Sequence, residues 1–214
     1  MGVSSAMTVA NGIPLRSIPA GTRLVRIFRT YFEDGLAPRW FFSDTSRPRP
    51  GRFDLAMPDG TCYLSDDLAG CWLEVFRAAR VVLQSDVDAR SVLIAVKSST
   101  GSSVMDLTDG GAVASGISLD HSAGEDYEET QALAAEALAD GADGIVSWIR
   151  HDPAARFRNF GIFATAGGRD ESPGWTSTQE PLASHVDAVS STIGFQVVGL
   201  PYDLPVSQPP KRHR

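Results

Sequence analysis

The chain has 214 residues and a mass of 22.9 kDa, enough for one domain that buries about 70% of its unfolded surface without a disulfide or metal staple. Hydrophobic residues at 43% and charged residues at 21% exclude a disordered or fibrous chain. The net charge of −7 leaves no whole-chain positive field, so direct nucleic-acid binding is not expected. Cys62 and Cys71 are the only cysteines, too few for a metal site alone or for a secreted disulfide framework. The apolar runs fall well short of the ~20 residues that span a bilayer. The start, MGVSSAMTVANGIPLR, lacks a charged stretch followed by an apolar one. A soluble, cytoplasmic protein that does not engage membranes is expected.

Residues 1–19, with Gly12, Pro14 and Pro19, read as a loose leader. Thr22–Phe28 alternates as a strand does. Residues 34–60 hold Pro38, Pro48, Pro50 and Pro58 and are too long for an ordinary connector, which predicts a functional loop. Thr61–Leu64 is a short strand. Ser65, Asp66 and Asp67 then supply capping oxygens and favourable charge for a helix over Leu68–Val82. Its apolar stripe is Leu68, Trp72, Val75, Phe76, Ala79 and Val82. Strands follow at Ser91–Val96 and Val104–Leu107. An alanine-rich helix over Glu128–Ala139 stops at Gly141. Asp143–Ile149 pairs with Asn159–Thr165, and Thr192–Leu200 is a final strand. The proline-rich residues 201–214 read as a flexible tail. Short strands with two helices give an α+β fold, a single domain over residues 20–200.

Charge is unevenly spread. Eight arginines lie between Arg16 and Arg52 against three acids, whereas Asp120 to Asp143 holds eight acids and no Lys or Arg. Arginine suits bidentate contact with phosphate or carboxylate, so a small anionic ligand near the first third of the chain is one reading; solvated charge is the other. Glu74 is the only charge in the apolar run Leu68–Phe76. Its helical neighbours Gly70, Cys71 and Ala78 are small, which would let a ligand approach; a rim pair with Arg77 is the plainer reading. Arg26 alternates with Val25 and Ile27 on a core strand and needs a partner or a ligand. Arg52 follows Gly51, which permits close backbone approach; pairing with Asp54 or Asp59 is its alternative. Trp72 and Trp148 read as core residues. His121 and His151 show no metal-ligand spacing.

The segments LVRIFR, PGRF, CYLSDDLAGCWLEVF, ADGIVSWIRHDP and NFGIFA, in this order and spacing, resemble the RES domain over about residues 23–165. That family supplies the toxins of bacterial RES–Xre toxin–antitoxin operons. By this resemblance Arg26 corresponds to the early strand arginine, Arg52 to the arginine of the GRF motif, Tyr63 to the tyrosine before the helix and Glu74 to the glutamate. Where the family reads DGI-x-Y-x-S-R, this chain has Ile149 at the serine position and Ser147 at the tyrosine position. Ser147 shares a strand face with position 149 and is the substitute displaced by one pleat.

The resemblance implies an ADP-ribosyltransferase-like fold of small mixed sheets with flanking helices, and NAD+ degradation by hydrolysis or phosphorolysis. Glu74, with Arg26 and Ser147, would be catalytic; Arg26, Arg52 and Tyr63 would bind NAD+. NAD+ is then a substrate, and no cofactor or metal is implied. The implied partner is an Xre-type DNA-binding antitoxin; a homodimer stays open. Transfer of ADP-ribose to a protein is an alternative activity, and a catalytically weak nucleotide- or antitoxin-binding module is the alternative from outside enzymes.

Overall fold

The computed structural model describes residues 12–32, 35–77, 79–99, 101–118, 121, 124 and 127–199. In chain order the strands are β1 (Leu15–Ile18), β2 (Arg23–Arg29), β3 (Tyr31–Phe32), β4 (Gly35–Leu36), β5 (Trp40–Phe42), β6 (Asp59–Ser65), β7 (Val81–Leu83), β8 (Arg90–Lys97), β9 (Ser102–Asp106), β10 (Gly144–Trp148), β11 (Arg158–Thr165), β12 (Gly167–Arg169), β13 (Trp175–Pro181) and β14 (Gln196–Val198). The helices are α1 (Leu68–Phe76), α2 (Gln84–Asp88), α3 (Gly110–Ala114), α4 (Glu128–Ala139) and α5 (Val186–Ile193).

One sheet dominates, in the order β1-β9-β10-β11-β6-β2-β8-β13. All its pairs are antiparallel except β9 with β10. The α+β class holds, although one large mixed sheet with three two-stranded ribbons replaces a set of small ones. The sheet has a weak seam. β6 pairs with β11 over seven residues, yet β2 and β6 meet only at Val25 opposite Ser65. Past that point the strands part, and the side chains they carry border a gap instead of a ladder.

Helix α1 packs over this seam. Asp67 caps it by accepting from the Ala69 N–H at 2.7 Å, which satisfies one of the donors a helix start leaves open. Trp72 (1% exposed), Ala69, Cys71 and Leu73 bury its inner face against Val25, Ile27, Leu182, Val189 and Phe195. A second core holds α4 through Leu133, Ala134 and Ala137 against Ile145 and Phe53. A third lies under Trp40, Phe42, Leu24 and Leu93.

Several sequence expectations change. The leader, in its described part, is the edge strand β1, with Ile13 and Ile18 buried. The long loop over 34–60 contains β5, which pairs with β12. Helix α1 ends at Phe76, because Arg77 leaves helical space at φ 57° and Val81–Leu83 is claimed by a parallel pairing with β14. The final strand is short, and Thr192–Ile193 belong to α5. Gly70 is small for packing, since a Cβ there would lie 2.6 Å from Ser65 Oγ and 2.9 Å from Phe157 Cβ. The tail over 201–214, the first eleven residues of the leader, Ala78 and Asp120 lie outside the described residues.

Candidate active site

Two adjoining lobes open beside the seam. The larger, about 440 Å³, is lined by Arg52, Tyr63, Glu74, Arg77, Tyr127, Trp148, Arg150 and His151, with Pro50 and Gly51. The smaller, about 230 Å³, is lined by Arg26 and Ile27 from β2, Tyr63, Leu64 and Ser65 from β6, Cys71, Glu74 and Val75 from α1, and Phe41, Ser43, Arg47, Ile149 and Asn159. Tyr63 and Glu74 belong to both, so they form the shared wall. Four of the five sequence candidates therefore converge here: Arg52 in one lobe, Arg26 in the other, Tyr63 and Glu74 between them.

Glu74 comes off the exposed edge of α1 near its C-terminal end. Its Oε1 accepts the backbone N–H of Arg150 at 2.9 Å. That bond fixes the carboxylate and leaves Oε2 to meet a ligand. A charge-assisted bond of this kind is stronger than a neutral one.

Tyr63 is held by its hydroxyl. It donates to Asp54 Oδ1 at 2.8 Å and accepts the Phe53 N–H at 2.9 Å. Burial, reinforced by the Asp54 carboxylate, pushes its phenol well above the ordinary tyrosine value. The phenol thus stays protonated, and with the hydroxyl engaged it is the ring that serves the lobes. Asp54, 1% exposed, organises the whole turn: it also accepts from Ser43 Oγ at 2.7 Å and from the Gly51 N–H at 2.6 Å. It does not pair with Arg52.

Arg52 instead donates to the carbonyls of His121 at 3.2 Å and Gly124 at 2.9 Å and lies 4.9 Å over the Tyr127 ring. Burial lowers its pKa most; Tyr127, Glu74 and Tyr63 act in the raising direction, Arg150 in the lowering one. Arg26 donates through one terminal nitrogen to Phe41 O at 3.2 Å and Cys62 Sγ at 2.8 Å, and it lines the smaller lobe. Cys71 is chemically quiet: burial first of all pushes its thiol up to about 12.

Ser147 lies elsewhere. It is buried in β10 and lines neither lobe. Ile149 and Asn159, the residue directly across from Ser147 on β11, line the smaller lobe. Trp148 is half-buried and lines the larger lobe, with Arg158 at 5.1 Å from its ring, so it is a cleft residue and not core. Sequence reasoning missed Arg150, Tyr127, Asp54 and Asn159. Arg150 and Asn159 lie inside the segments ADGIVSWIRHDP and NFGIFA, and Asp54 reads from sequence only as a partner of Arg52, but nothing in a spacing marks a backbone N–H or a buried carboxylate as a clamp. Among the described residues no His, Cys, Asp and Glu cluster could hold a metal, and no helix is long and apolar enough to cross a membrane.

A mixed sheet parted at a seam, roofed by a helix whose single carboxylate stands among guanidinium groups, defines a class of chain, and comparison identifies it. Residues 23–184 match the RES domain, and the chain belongs to that family. The solved structures similar to it include a chain of the crystal structure of the M. tuberculosis MbcT–MbcA toxin–antitoxin complex. The TM-score is 0.55 at 19% identity, covering 81% of this chain and 92% of that one. The α+β, ADP-ribosyltransferase-like fold expected from the sequence is the fold that this likeness shows. No curated protein matches.

Proposed function

We propose that the chain is the toxin of a toxin–antitoxin pair and cleaves the nicotinamide–ribose bond of NAD+ in the cytoplasm. The observation that carries the reading is the shared wall: one fixed carboxylate and one aromatic ring stand between two lobes, each with more than one arginine in its lining. A dinucleotide suits that arrangement when the ribose that carries nicotinamide meets the shared wall and the anionic diphosphate reaches the guanidinium groups that border it. Family membership supports the toxin assignment, and the similarity to a chain from a toxin–antitoxin complex supports a protein antitoxin; that this antitoxin is of the Xre type is what the family resemblance implies.

The chemistry follows from charge. As the C1′–N bond of the nicotinamide ribose breaks, nicotinamide leaves neutral with the bonding electron pair and the ribose takes on oxocarbenium character. A carboxylate held in place beforehand stabilises that charge without reorganising. Glu74 does this, its Oε2 toward the ribose while the Arg150 N–H holds Oε1. Arg26 and Arg52 neutralise the diphosphate. The Tyr63 ring packs against the flat base. An oxygen of water, or of inorganic phosphate, then bonds to C1′, and water gives its proton to solvent. Nicotinamide is a good leaving group, so no strong general acid is needed. Asn159 takes over hydroxyl or carboxamide recognition in the smaller lobe, where Ser147 does not reach.

The test is product analysis. Purified protein incubated with NAD+ should release nicotinamide together with ADP-ribose, or with a phosphorylated ADP-ribose when inorganic phosphate is added. Mass gain on a protein acceptor with no free ADP-ribose would instead mean transfer, and intact NAD+ under every condition would remove the proposal.

A further inference from the structure

Behind the C-terminal end of α1 lies a second basic hollow, of about 500 Å³. Arg77, Arg80, Arg156 and His151 supply its polar wall, Trp72 and Phe195 its apolar one, and among the described residues no Asp or Glu lines it. Arg156 is held by Asp152 at 3.0 Å. Among the described residues Arg77 and Arg80 form no ion pair. Guanidinium groups gathered around one concavity are a site of positive potential that favours an anion.

Two further features are those of a built site. Arg77 ends α1 at φ 57°, a backbone conformation that L residues rarely adopt and that persists where the surroundings impose it. Trp72 is 1% exposed, with the Phe76 ring at 4.4 Å and the Phe195 ring at 4.1 Å. It lines the hollow, and its buried Nε1–H has no hydrogen-bond partner. Buried donors rarely stay unsatisfied.

We infer that this hollow is a docking site for an acidic segment of a protein partner, one that carries carboxylates and a large apolar side chain. The volume far exceeds a single tetrahedral oxyanion, and the lining is half apolar, which a free phosphate could not use. The chain's own residues 201–214 have the wrong sign, with Lys211, Arg212 and Arg214 against Asp203 alone. Arg77 and His151 also line the larger lobe of the catalytic cleft, so a segment seated here continues across its mouth. The identity of the partner as the antitoxin rests on the proposed function; the docking site does not.

The probe is a fluorescein-labelled peptide Glu-Asp-Glu-Phe-Leu-Asp-Glu, followed by anisotropy on the full chain. Arg80→Glu is the test variant, since Arg80 is exposed and lies outside the catalytic lobes; circular dichroism checks its fold. Binding to wild type that weakens at least about tenfold in Arg80→Glu, is unaffected by excess inorganic phosphate and is lost when lysine replaces the peptide's acids supports the inference. Arg80→Glu should still consume NAD+ within about twofold of wild type, because the charge it reverses is outside the cleft. Equal binding by the variant, or none by wild type, overturns the inference. Displacement by phosphate would make the hollow a small-anion site, and Arg80-dependent self-association would make it an interface between copies; either also overturns it. A protein that binds the peptide through Arg80 but never consumes NAD+ removes the proposed function and leaves the docking site standing.

Discussion

Gly51→Ala isolates the turn that carries Arg52. Gly51 does not have a positive φ, so alanine is not excluded by backbone conformation. The obstacle is space. An added Cβ would stand 2.6 Å from Tyr63 Oη, 2.7 Å from Asp54 Oδ1 and 2.9 Å from Tyr63 Cε2. None of these can swing away cheaply, because Tyr63 Oη and Asp54 are bonded to each other and to the Phe53 and Gly51 N–H groups. Overpacking a fixed site costs about 1–3 kcal/mol. In a chain of this length that lowers Tm by roughly 2–4 °C per kcal/mol. The displaced ring and turn should also raise KM for NAD+, since Tyr63 and Arg52 both move. Thermal unfolding read beside the NAD+ assay measures both. Gly110→Ala is the control: nothing lies within 4 Å of its Cβ position, and it should be neutral or stabilise slightly. If Gly51→Ala melts with wild type and keeps its KM, the claim that this turn is clamped is wrong.

Three further outcomes are expected. Asp152, whose pKa is lowered by bonds from Arg156 and Phe157 that outweigh its desolvation, contributes stability that is present above the ordinary aspartate range. That stability is lost as pH falls through the lowered folded value; Asp152→Ala should cost about 2–3 kcal/mol at neutral pH and flatten the acid limb of a Tm-against-pH curve. Both thiols are free and buried, and burial raises Cys71 to about 12, so a thiol reagent should find neither in the native protein and both in denaturant; fast native labelling would contradict this. Ser147→Ala should leave NAD+ turnover within about threefold of wild type while Asn159→Ala lowers it about tenfold or more, and steady-state kinetics on the pair distinguishes the two positions.

The sequence made the middle of the chain legible and its edges illegible, for physical reasons. Strands β6, β8 and β11 were legible as short apolar runs and helix α4 as an alanine-rich stretch stopped by Gly141, because each buries one or both of its faces. β13 is an edge strand of Trp-Thr-Ser-Thr-Gln-Glu-Pro with no buried residue, and such a segment has no apolar alternation to read. α1 was read too long because Arg77-Ala78-Ala79-Arg80 favours helix locally, whereas the pairing of β7 with β14 is a contact across more than a hundred residues. At the site, Arg26, Arg52, Tyr63 and Glu74 were found through motif order. The Asp54 clamp and the Arg150 N–H were not, since they depend on which backbone atoms the fold brings to a side chain. Ser147 followed from pleat arithmetic, which gives the face but not where the strand ends: β10 stops at Trp148, and position 149 turns into the smaller lobe.

The central claim is that one carboxylate on α1 carries the bond cleavage, and the most direct measurement is nicotinamide release by Glu74→Gln against wild type at equal folded concentration. Glutamine keeps the size and can still accept the Arg150 N–H, so only the charge is removed. Wild type should release nicotinamide, with the variant at least about 100-fold slower and its melting curve unchanged. Equal rates in the two proteins, or no release by wild type with or without phosphate, would contradict the account.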